Sequence, residues 1–373
     1  MMPETEDALA QIISAADGPL QISGGGTRPI GQVAGAPLST AKMRGITLYE
    51  PGALTLVAKA GTPVAEIEAA LAKENQRLAF EPMDHRALLG TTGTPTIGGV
   101  VAANVSGPRR IAVGACRDFT LGVRFVDGAG NIVKNGGRVM KNVTGYDLVK
   151  LLSGSYGTLG VLTEVSLKVL PNVETTACIL LHGLDDATAI KALSTALGSP
   201  FEVTGATHLP RGMDGDPVTM IRIEGFEASV AYRCEKLCAL LAPFGTASVQ
   251  TGDDPDGYGT EKGWAWVRDV KTFADQPGDV WRISVKPSDA AAVAAQIGAK
   301  AVQYDWGGGL IWALTDGTEP RAKLANFAGH ATLIRGRADV PVFQPEPTPL
   351  AAITAGLRAK FDPRGILNPG MMG

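Results

Sequence analysis

Three glycine clusters in the first half of the chain carry its clearest chemical signal. Gly24, Gly25 and Gly26, with Thr27 behind them, come directly after a short apolar strand, Leu20–Ile22. Successive glycines after a strand form a loop whose N–H groups can converge on an anion such as a pyrophosphate. A flexible turn would use the same residues. The spacing is not the Rossmann G-x-G-x-x-G, and the Gly-Lys-Ser/Thr ending of a Walker A loop is missing. A second cluster opens at Glu81-Pro82-Met83-Asp84 and runs from Thr96-Ile97-Gly98-Gly99 through Ala102, Asn104 and Gly107 to Arg109-Arg110. Its small residues let a bulky flat ligand lie directly on the backbone, or else make a closely packed core segment. The third cluster, Gly136 to Leu148, continues to Gly154–Glu164. There Gly157 and Gly160 bracket a tight turn feeding a strand, which would offer the amides of Val161 and Leu162 to an adenine edge.

Stepping stones between these loops follow from hydrophobic periodicity. A first block, residues 1–171, contains an amphipathic N-terminal helix over Met1–Ala16. It also has β-like runs at Leu54–Ala60, Phe119–Asp127 and Val161–Leu170, and a turn at Asp127–Asn131. A helix over Val64–Asn75 starts behind Pro63 and repeats Val64, Ile67 and Leu71 at helical spacing. A second block, residues 172–345, alternates extended runs (Ala177–His182, Val218–Glu224, Trp281–Val285) with helical ones (Asp186–Leu197, Ser229–Leu241, Ser288–Ile297), as in an α+β domain with helices on one face of a sheet. The turn-rich Gly252–Gly259 reads as an exposed loop. After a proline-punctuated linker from Phe343, residues 346–373 hold a helix over Leu350–Phe361 and the tail FDPRGILNPG.

Composition narrows the class. Over 373 residues, 45% hydrophobic and 19% charged content describes a globular chain of two domains with a large core. A net charge of −3 gives no reason to expect nucleic acid. Cys116, Cys178, Cys234 and Cys238 form no C-x-x-C pair; they read as reduced core thiols, which leaves no metal or iron–sulfur site in this chain. The N-terminus is acidic where a signal peptide needs basic residues, and no apolar run reaches transmembrane length, so a cytoplasmic protein is expected.

Taken in order, GGGT, P-x-D, TIGG with AxN.SG, RD-F-x-LG, KNVTGYDL and GSYGTLGVLTE resemble the FAD domain of the vanillyl-alcohol-oxidase superfamily. Trp281-Arg282-Ile283-Ser284, Asp305-Trp306-Gly307-Gly308, Gly329-His330-Ala331-Thr332 and the LNPG tail resemble the smaller FAD-binding subunit of the bacterial glycolate oxidase complex. The likeness covers nearly the whole chain. It implies an α+β fold: a PCMH/vanillyl-alcohol-oxidase type FAD domain of two α/β lobes, plus an α+β cap with an antiparallel sheet.

The resemblance also implies non-covalent FAD. Its pyrophosphate would lie on Gly24, Gly25, Gly26 and Thr27, and its flavin and ribityl chain along Pro82, Asp84, Thr96, Gly98, Gly99, Ala102, Asn104, Gly107 and Arg110. The adenosine half would meet Gly160, Val161 and Leu162, with Asn368 returning near the ring. Many relatives tether FAD through a histidine beside the glycine loop; here Gly26-Thr27-Arg28 stands there instead. Oxidation of glycolate or D-lactate needs cations for the carboxylate and a base for the hydroxyl proton. Arg282, Arg110 and Arg335 are candidates for the first role and His330 for the second. The expected partners are a larger FAD-binding paralogue and an iron–sulfur subunit, with peripheral inner-membrane association through them. Where catalytic relatives carry GHxGDGN, this chain reads Gly329-His330-Ala331-Thr332-Leu333-Ile334-Arg335-Gly336. That loss removes an expected metal and favours a relay role beside the larger subunit. A standalone sugar or alditol oxidase would share the FAD domain but not WRIS and DWGG.

Overall fold

The computed structural model describes residues 1–31, 33–138, 145–251, 261–324, 328–336 and 339–372. The KNVT half of KNVTGYDL and the Gly252–Gly259 segment lie outside the described residues. The N-terminal helix is Glu6–Ser14, capped by the Thr5 hydroxyl and burying Leu9 and Ile13 one turn apart. It covers a small lobe in which β1 (Leu20–Ser23) pairs in parallel with β2 (Ala36–Ser39).

A second lobe is a five-stranded antiparallel sheet. Its strands are β3 (Ile46–Glu50), β4 (Thr55–Lys59), β6 (Thr120–Val126), β7 (Ile132–Gly136) and β8 (Val161–Lys168), in the order β3-β4-β8-β6-β7. A separate two-residue ladder pairs β5 (Gln76–Arg77) with β9 (Leu170–Pro171). The helix behind Pro63 is Val64–Ala72, and it buries Val64, Ile67 and Leu71 on the sheet as their spacing requires. The run expected as strand from Phe119 begins instead with a helical turn, Cys116–Phe119, because the Asp118 carboxylate turns back to the Ala115 amide.

The rest of the chain builds one eight-stranded antiparallel sheet. It comprises β10 (Thr175–His182), β11 (Val203–Leu209), β12 (Val218–Gly225), β13 (Ser248–Thr251), β14 (Asp279–Val285), β15 (Ala301–Asp305), β16 (Leu310–Thr315) and β17 (Gly329–Arg335). Their spatial order is β13-β10-β12-β11-β15-β16-β14-β17. Helices Asp186–Leu197, Glu227–Leu241 and Ala290–Ile297 cover one face. The pleat decides what the other face shows. On β14, Trp281 and Ile283 point into the helix-covered core, so Arg282 must turn toward the first domain. Val280, Leu310, Trp312 and Ile334 join that domain's core directly.

A buried charge cluster clamps the two domains. Arg109 donates to Glu224 from Nε and Nη2, each at 2.8 Å, and Arg222 donates to Glu81 from both terminal nitrogens at 2.9 Å. Arg77 adds a third cation on Glu224. The final helix, Thr348–Phe361, then leads the tail back: the Leu20 amide donates to Ile366 O at 2.7 Å, and the Asn368 amide to Leu20 O at 3.1 Å.

Candidate functional site

A long cleft opens where β1, the glycine loop, the helix Ile97–Ala102, the turn before β8 and the tail converge. It encloses about 1260 Å³ free of protein atoms, its open side included, which is room for a dinucleotide. The loop is built like an anion nest. The carbonyls of Gly24, Gly25 and Thr27 are tied outward to Ser39 Oγ, the Thr94 amide and Thr91 Oγ1. Among the described residues, no amide from Gly24 to Thr27 donates a hydrogen bond. A Cβ on Gly25 would sit 1.7 Å from Thr94 O, and one on Gly24 would sit 2.3 Å from Thr96 Oγ1, so only glycine allows this path. The Thr96 hydroxyl is itself buried with no protein partner among the described residues, an unmet polar group in the cleft wall.

Most of the expected ligand-binding residues meet here: Gly24, Gly25, Gly26, Thr27, Thr96, Gly98, Gly99, Ala102, Gly160, Val161, Leu162 and Asn368 all line the cleft. The Asn368 amide braces the wall, accepting from the Ile22 amide at 2.7 Å and donating to Tyr156 O at 2.8 Å. Pro82, Asp84, Asn104, Gly107 and Arg110 stand outside this lining. Asp84 pairs with Arg86 at 2.7 Å, and the Asn104 side chain accepts from the Arg117 amide at 2.9 Å. Gly107 O accepts from the indole of Trp306 at 3.1 Å.

Sequence reasoning missed three polar groups in the same cleft. Arg28 donates from Nε to His85 Nε2 at 3.0 Å and from Nη1 to the Tyr156 hydroxyl at 3.1 Å. Burial, then the charge of Arg28, hold His85 well below its usual pKa, so it is a neutral acceptor with its proton on Nδ1. Phe343 packs edge-on to Tyr156 with centroids 4.9 Å apart. The only available signal was position, since each residue directly follows or interrupts a glycine motif.

The cap contributes a second cluster. Arg282 on β14 and His330 on β17 share the face turned to the first domain, because His330 pairs with Ser284, two residue pairs along the ladder from Arg282. The guanidiniums of Arg110 and Arg282 lie 4.6 and 5.0 Å from the centroid of the Trp306 ring. Neither has a carboxylate at ion-pair distance among the described residues. Burial, with help from Arg110, pulls the Arg282 pKa down to about 10. Burial, then Arg282 and Arg110, lower that of His330, which keeps it neutral. Arg335 is not part of this cluster. Its guanidinium is spent on the carbonyls of Leu88, Phe273, Gln276 and Gly278, so it ties the end of β17 in place.

A family model described as an FAD binding domain matches residues 1–136. Over 359 residues the chain is 36% identical to glycolate oxidase subunit GlcE of Escherichia coli, covering 95% of this chain and 92% of that one. The chain belongs to the glycolate oxidase GlcE family. GlcE-family chains are FAD-dependent oxidoreductases, and FAD is the cofactor that the cleft fits. Glycolate oxidase subunit GlcD of Bacillus subtilis is 33% identical over 170 residues, 42% of this chain and 36% of that protein. An alkyldihydroxyacetonephosphate synthase structure superposes with a TM-score of 0.72 at 16% identity, covering 99% of this chain and 76% of its own. The GlcE-family chain therefore has the vanillyl-alcohol-oxidase type of fold, with the cap sheet over the FAD domain.

Proposed function

We propose that this chain binds FAD without a covalent tether and oxidises a small 2-hydroxy acid, glycolate or D-lactate, to the 2-oxo acid. The observation that carries this reading is the pair Arg282 and Arg110, two cations held against Trp306 between cap and FAD domain with no carboxylate at ion-pair distance among the described residues. An arginine in that state offers its donor fork to a substrate carboxylate. His330, neutral and on the same face, is placed to take the hydroxyl proton. Bound FAD would supply the hydride acceptor. The amides of Gly24–Thr27 would hold its pyrophosphate, and Gly98, Gly99 and Ala102 would back its ring. The nearest histidine, His85, is buried and engaged by Arg28, which supports a non-covalent site.

The electrons would leave through a complex containing a larger FAD-binding paralogue and an iron–sulfur subunit, cytoplasmic and peripheral to the inner membrane. Among the described residues no helix is long and apolar enough to cross a membrane. A second reading, an FAD relay or structural subunit, is favoured by the segment Gly329–Gly336, which keeps one histidine of GHxGDGN.

The test is anaerobic. The purified protein is freed of FAD by acid in one aliquot and mixed with glycolate or D-lactate in another, alone and with its partner subunits. Bleaching of the oxidised-flavin absorbance by the isolated chain is the expected result. Bleaching only with partners present selects the relay reading, and no bleaching in either case overturns both.

A further inference from the structure

We infer that Trp306 is the positioning residue of the carboxylate site, holding Arg110 of the FAD domain and Arg282 of the cap against one indole ring. This rests on the reading above, in which those two arginines meet the substrate. The geometry is specific. The Trp306 indole N–H donates across the domain junction to Gly107 O at 3.1 Å, three residues before Arg110. The ring meets Arg110 at 4.6 Å and Arg282 at 5.0 Å, so one residue registers cations from both domains.

The backbone is set up for this. Trp306 has φ +54°, followed by Gly307 at +64° and Gly308 at +99°, three left-handed residues in a row. Glycine adopts that conformation readily and tryptophan rarely does. The Asp305 carboxylate holds the turn by accepting the Trp306 amide at 2.7 Å. A strained tryptophan sits where glycine would fit, and its ring is what the position gains.

An aromatic face suits the task better than an acid. A carboxylate beside Arg110 or Arg282 would neutralise the cation and consume its N–H groups. A ring attracts the guanidinium through its π-face and leaves the N–H edge open to a ligand carboxylate.

The experiment titrates holoprotein with oxalate, a non-reducing analogue of a 2-hydroxy acid, and follows the flavin absorbance change. Trp306→Leu removes the ring, whereas Trp306→Phe keeps an aromatic face and loses only the bond to Gly107. The expected result is oxalate affinity about tenfold weaker for Trp306→Leu and within about threefold of the parent for Trp306→Phe, with FAD content unchanged. Parent-like affinity in Trp306→Leu overturns the proposal, and so does equal weakening in both variants. If Trp306→Leu fails to retain FAD, Trp306→Phe decides alone: a loss of about tenfold or more counts against the ring. A parent protein that shows no oxalate response refutes the functional reading itself, a separate failure.

Discussion

Asp305 shows how much a single buried group reveals. It lies under the Trp306 turn, 3% exposed, between the interdomain clamp and Arg282. Burial pushes its carboxyl up to about 7, although the Trp306 amide and Arg222 pull the other way. The native state therefore holds its proton more tightly than the unfolded chain, whose value is 3.8. Below about pH 4 both states are protonated. As pH rises from there to about 7, the unfolded chain ionises first and stability falls; above 7 the penalty is constant. Asp305→Asn keeps an oxygen for the Trp306 amide and has no charge to bury. Its melting temperature should exceed the parent's by little at pH 4.5 and by several degrees at pH 8, a difference on the order of 2 kcal/mol. A gap that does not grow with pH would mean that Asp305 is ionised in its pocket. At this scale the sequence was legible where sterics alone decide, as at Gly24 and Gly25. It was silent on Arg28, His85 and Tyr156, because that trio is assembled from positions 57 and 128 residues apart.

Elements follow the same division. The helix Asp186–Leu197 falls where its periodicity and the Asp185 cap put it. Strands β11, β15 and β16 were not foreseen. Gly205 and a bulge break the pattern of β11, and β15 buries Gln303 and Asp305 as well as Tyr304. Polar residues on a strand look exposed until the opposing face is known, and here that face is a site. The glycine loop makes a sharper claim. The Thr94 backbone cannot yield, since its amide donates to Gly25 O while its carbonyl stands 1.7 Å from where a Gly25 Cβ would be. Gly25→Ala must move the loop and its amides together. The apoprotein variant should bind FAD at least about tenfold more weakly by fluorescence titration, with far-ultraviolet circular dichroism unchanged. Retained affinity would place the pyrophosphate elsewhere.

Across the whole molecule, two domains make one site only if the cap is held in register. Exposed pairs such as Lys42–Glu4 are screened by solvent and cannot do this. The clamp can: removing one partner from a buried charge pair costs about 3–5 kcal/mol. Although burial opposes it, Arg222 and Arg109 hold Glu224 well below the usual carboxylate range. The cap's charge therefore stays fixed on the FAD domain at working pH. With that register set, Arg282 of the cap and Arg110 of the FAD domain meet on the ring of Trp306. The most direct test of this arrangement is an oxalate titration of the parent and Arg282→Ala holoproteins, followed through the flavin spectrum. A saturable perturbation in the parent and an affinity about a hundredfold weaker in the variant, at equal FAD content, is the outcome this geometry requires. Identical titrations of the two proteins would contradict it and move the carboxylate site away from the cap.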